Sequence, residues 1–144
     1  MEYTDSIKLL RECDAGSKMA VSAIDEVREH VKSSDLLNLL IESRKHHEKL
    51  GNDLHAMLNE QGTEEKEPSM IAKGMSWMKT NVKIGMDSSD ETIADLIVDG
   101  CDMGIKSLFK YKNQYHGADH SANDICNRLI SIEKELREKL YQYL

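Results

Sequence analysis

Cys13-Asp14-Ala15-Gly16-Ser17-Lys18 and Cys101-Asp102-Met103-Gly104-Ile105-Lys106 share one pattern, C-D-x-G-x-K, set 88 residues apart. Each stretch lies inside a longer run with helical periodicity. Upstream and downstream of the first, Ile7, Leu10, Ser17, Val21, Ile24, Val27 and Val31 recur at spacings of three, four and seven, as one face of a helix requires. Around the second, Ile93, Leu96, Ile97, Met103, Leu108 and Tyr111 do the same. Each run is followed by a short turn and another helical stripe. These stripes are Leu36, Leu40, Ser43, His47, Leu50, Leu54 and Met57 in one case, and Ile125, Leu129, Ile132, Leu136, Leu140 and Leu144 in the other. Leu50 and Leu54 match Leu136 and Leu140 more loosely. The sequence therefore reads as two similar helical hairpins related by a pseudo-twofold, over residues 5–61 and 91–144.

The turns carry their own chemistry. Thr4, Asp5 or Ser6 can cap the first helix, Ser33-Ser34-Asp35 the second, and Asp87-Ser88-Ser89-Asp90 the third, because their side-chain oxygens accept the unpaired N–H groups of a first turn. Gly117-Ala118-Asp119 breaks the second hairpin. Residues 62–90 form a long crossover. The acidic Glu64-Glu65-Lys66-Glu67-Pro68 reads as loop, and Ile71, Met75, Met78 and Val82 predict a short amphipathic helix between Ser69 and Gly85. The expectation is an all-α protein, a single four-helix bundle spanning residues 1–144. A glycine inside a helix costs about 1 kcal/mol relative to alanine. Gly16 and Gly104 are thus expected to serve close helix approach.

Composition agrees with this reading. Only one proline and eight glycines interrupt 144 residues, and the sequence is rich in helix formers. A formal net charge of −7 argues against nucleic acid, whose phosphates call for clustered Lys and Arg. The three cysteines are too few and too scattered for a disulfide framework. Reduced thiols, a polar N-terminus and no apolar run long enough for a membrane span predict a cytoplasmic protein and make membrane association an unfavoured reading.

This layout resembles the ferritin-like superfamily, especially its small bacterial members, across nearly the whole chain. The resemblance implies one long crossover between two hairpins, and in di-iron members a Glu from each first helix and a Glu-x-x-His from each second. Carried over residue by residue, Asp14 and Asp102 stand for the first-helix carboxylates. His47 and Glu133 stand where the Glu of each Glu-x-x-His would be. Three residues beyond them, where histidine is needed, stand Leu50 and Leu136. No Glu-x-x-His occurs anywhere, so the resemblance implies a degenerate centre, its polar groups paired with one another or with Lys18 and Lys106.

Other candidates are weaker. His46-His47 cannot both face inward, since adjacent residues lie on different helix faces, and the turn at Gly117 interrupts His116-x-x-x-His120. In the crossover, Met75, Trp77, Met78 and Lys79 could dock a protein partner, although packing against the bundle explains the same stripe. There is no phosphate loop, no Cys-x-x-Cys and no serine elbow. Two readings follow: a non-enzymatic bundle without a cofactor, forming a homo-oligomer or binding a protein partner, or a protein binding iron or another divalent metal through Asp14, His47, Asp102 and Glu133.

Overall fold

The computed structural model describes residues 3–63 and 88–144. These residues form four long helices and no strand: α1 (Asp5–Val27), α2 (Ser34–Glu60), α3 (Asp90–Gln114) and α4 (His120–Leu140). Single 3₁₀ turns follow α1 (Arg28–His30) and α4 (Tyr141–Tyr143). The predicted crossover helix, with Met75, Trp77, Met78 and Lys79, lies outside the described residues.

Each helix starts where its sequence supplies an oxygen. Thr4, Ser33, Ser89 and Asp119 accept the backbone N–H of Ile7, Leu36, Thr92 and Ala122, respectively. Such caps satisfy donors that the first helical turn cannot pair internally.

Side chains at the ends fix the helix directions. Asp90, opening α3, accepts the N–H groups of Lys32 and Ser33 at 2.8 and 2.9 Å, beside the α1–α2 turn. Asp5 and Ser6, opening α1, accept those of Gly117 and Asp119 between α3 and α4. Hence α1 and α4 run one way and α2 and α3 the other. The chain leaves α2 at one end of the bundle and enters α3 at the opposite end. The two hairpin pairs pack most extensively, α1 also touches α3 and α4, and α2 touches α4.

The core is divided. One apolar cluster at the end holding the start of α1 contains Leu9, Leu10, Leu54, Leu58, Ile125 and Leu129. A second, at the other end, contains Ile24, Val27, Leu36, Leu40, Ile93 and Leu140. Between them lie the buried polar residues Asp14, Ser17, Ser43, His47 and Glu133. Two inward assignments require correction: Met103 and Leu144 are exposed. Met103 is left exposed because Cys101 and Ile105 hold the buried positions of that turn. Leu144 falls beyond the end of α4, where the helical phase no longer holds.

Candidate functional site

The middle layer is built around His47 and Glu133. His47 has no solvent exposure, since α2 carries it on the same stripe as Leu40, Leu50 and Leu54. Its Nδ1 lies 2.8 Å from the carbonyl oxygen of Ser43, one turn earlier, and its Nε2 lies 2.9 Å from Glu133 Oε1 on α4. A carbonyl oxygen can only accept, so Nδ1 carries a proton. Nε2 then faces a carboxylate, and the second proton sits between them. Burial opposes the charged imidazole, but the hydrogen bond and negative charge of Glu133 outweigh it and raise the His47 pKa above its ordinary value. Glu133 also pushes the buried Cys101 thiol further upward, beyond what burial does alone.

The four candidate ligands divide. His47 and Glu133 meet across the α2–α4 interface. Asp14 is buried on α1, with Lys18 Nζ 3.0 Å from its Oδ2. Asp102, its counterpart in the repeat, points outward, where Arg137 Nη1 donates to it at 3.0 Å. The repeated motif therefore places its two aspartates in opposite environments, and Asp102 does not join the others. Among the described residues, no group of three or more His, Cys, Asp or Glu is placed to hold a metal ion. As arranged, these residues do not fit the di-iron ligand set. Of the expected lysine partners, Lys18 pairs with Asp14, while Lys106 is exposed. The remaining histidines, His30, His46, His55, His116 and His120, are all exposed.

The glycines do something other than expected. Among the described residues, a Cβ on Gly16 would meet only Leu129 at 3.7 Å, one on Gly104 only Glu133 at 3.9 Å or more, and one on Gly100 nothing within 4 Å. They do not bring helices into tight contact. With Ala20 and Ala23 they leave a cavity of about 390 Å³ between α1 and α3. Its apolar walls carry two carboxylates, Glu133 and Glu12. Glu12 is buried, and Tyr111 on α3 stands against it. Burial and the Glu12 carboxylate together push the Tyr111 hydroxyl pKa up to about 12. Sequence reading passed over Glu12, although Glu12, Gly16, Ala20 and Ala23 form a row of one acid and three small residues at helical spacing. That row was the available signal.

Away from this layer, Cys13 and Cys126 are buried against each other, the hydrogen bond to Cys126 raising the Cys13 thiol well above its ordinary value. All three thiols are free and buried. No helix of the described residues is long and apolar enough to cross a membrane. Comparison with known proteins returns no match: no family description fits the chain, and no curated protein or solved structure is similar to it.

Proposed function

We propose that this chain is a non-enzymatic, ferritin-like helical module in which a hydrogen-bonded histidine–glutamate pair stands in place of a metal centre. We further propose that it acts by associating with itself or with a protein partner. The helix directions support the ferritin-like part: two antiparallel hairpins, with the chain crossing the bundle's length between them. The observation that carries the functional part is the engagement of both His47 nitrogens by the Ser43 carbonyl and Glu133. A histidine ligates through an unprotonated nitrogen lone pair, and neither nitrogen offers one. The outward turn of Asp102 towards Arg137 removes a further ligand.

Purification without chelator, elemental analysis, and titration with iron(II) and zinc(II) test this reading. Less than a tenth of an equivalent of tightly held metal is the expected result. One or two equivalents per chain, lost in Glu133→Ala, would establish the metal-binding alternative. Sedimentation velocity across a hundredfold concentration range tests association. A single monomeric species, with no partner recovered, would remove that part of the proposal.

A further inference from the structure

The outward face of α3 carries charge of both signs, sorted by position. Asp95, Asp99, Met103, Lys106 and Lys110 follow one another at steps of four, four, three and four, so one strip of the helix bears them all. All five are exposed. The acidic half precedes the basic half, with Met103, 46% exposed, between them. Phe109, 43% exposed, flanks the basic half, and the Lys134 ammonium of α4 stands 5.5 Å from its ring centre.

These charges are left uncompensated within the chain. None of Asp95, Asp99, Lys106 and Lys110 forms a hydrogen bond or ion pair among the described residues. Elsewhere on the surface, Arg44, Arg128 and Lys139 each have a carboxylate oxygen within 3.1 Å. The Asp99 carboxyl is held above its ordinary pKa by partial burial and by the like charges of Asp95 and Asp102.

The strip is also self-complementary. A two-fold axis crossing α3 between Asp102 and Met103 sets two copies antiparallel. Asp95 of one copy then faces Lys110 of the other, and Asp99 faces Lys106, because the members of each pair lie equally far from the axis. The symmetry repeats both matches, and the two Met103 side chains meet near the axis. Exposed ion pairs contribute little singly, so here they fix orientation and register, while Met103 and Phe109 supply apolar surface to bury. A parallel arrangement would set like charges together.

We propose that α3 is the surface through which two copies of this chain associate, antiparallel, with the acidic half of each against the basic half of the other. This rests on the self-association reading above and names its interface.

Sedimentation velocity of the full chain and of charge-reversed variants tests the proposal, with circular dichroism confirming that each is folded. The native chain should form a dimer that weakens at least tenfold between about 0.05 and about 0.5 M NaCl. Asp95→Lys with Asp99→Lys, or Lys106→Glu with Lys110→Glu, should each abolish self-association at low salt, since like charges then face one another. Mixing these two variants should restore a one-to-one dimer, and so should all four substitutions in one chain. Dimerisation unaffected by either reversal would overturn α3 as the interface and leave self-association through another face standing. Failure of both restorations would also overturn it. A native chain that is monomeric at low salt would remove the self-association reading itself, together with this interface.

Discussion

Replacing His47 with alanine leaves Glu133 buried without its charged partner. Breaking such a pair by removing one member typically costs about 3 kcal/mol or more, and urea denaturation of His47→Ala should show a loss of that size. The same pair makes stability depend on pH. Because Glu133 raises the His47 pKa in the folded protein, the imidazolium contributes fully below the unfolded value of about 6.5. That contribution is lost as pH rises through the higher folded value. Urea midpoints should therefore fall as pH rises above about 6.5 in the native protein, and more shallowly in His47→Gln. A parallel pH dependence in the two proteins would show that another group is responsible. At this scale the sequence was partly legible. The inward stripe of α2 identified His47 as a core residue, and the hairpin correspondence placed it with Glu133. Periodicity does not specify a side chain's partner, so the mutual pairing, and the divergence of Asp14 and Asp102, appear only when α4 is packed beside α2 and α3.

The helices themselves were the most legible level, because caps and apolar spacing are local. Ser33-Ser34-Asp35 and Asp87-Ser88-Ser89-Asp90 are read as cap clusters, and within them Ser33 and Ser89 do the capping, so that α2 and α3 start at Ser34 and Asp90. What a local reading misses is a side chain with a second use. Asp90 opens α3 and also accepts two N–H groups of the preceding hairpin's turn. A carboxylate accepting backbone hydrogen bonds is worth more than a neutral acceptor. Asp90→Ala should cost about 1–2 kcal/mol and speed hydrogen exchange at Lys32 and Ser33, while Asp90→Asn should retain part of the effect. Gly100 is the opposite case. It lies mid-helix, and among the described residues nothing stands within 4 Å of the Cβ it lacks. Gly100→Ala should stabilise the protein by about 1 kcal/mol through helix propensity alone, seen as a higher thermal midpoint. A destabilised Gly100→Ala would mean that the cavity wall at Gly100 has no room for a methyl group.

For the whole molecule, the two-cluster core makes global predictions possible. Cys13, Cys101 and Cys126 are distributed through buried positions, so a thiol reagent such as Ellman's should react with all three slowly in native buffer and at once in denaturant. Fast reaction of one thiol under native conditions would reveal an opening of the bundle below the global unfolding energy. Bundle class and hairpin order could be read from repeats and turn signals. The division of the core could not, because His47 and Ser43 sit on the same stripe as the leucines, and only packing gathers them with Asp14, Ser17 and Glu133 into one layer.

That layer works as a gauge between sliding rods. Moving α2 by one turn against α4 would set Ser43 or Leu50 opposite Glu133 in place of His47, leaving a carboxylate in the interior without its cation. Leucine–leucine contacts on either side would tolerate the slip, but the charge would not. Substituting both members with leucine should consequently leave stability near or above the native value while permitting several alignments, visible as broadened or multiplied amide resonances. A single hydrogen-bonded pair would then determine how far along the bundle each helix comes to rest, as one buried polar residue does in a coiled coil.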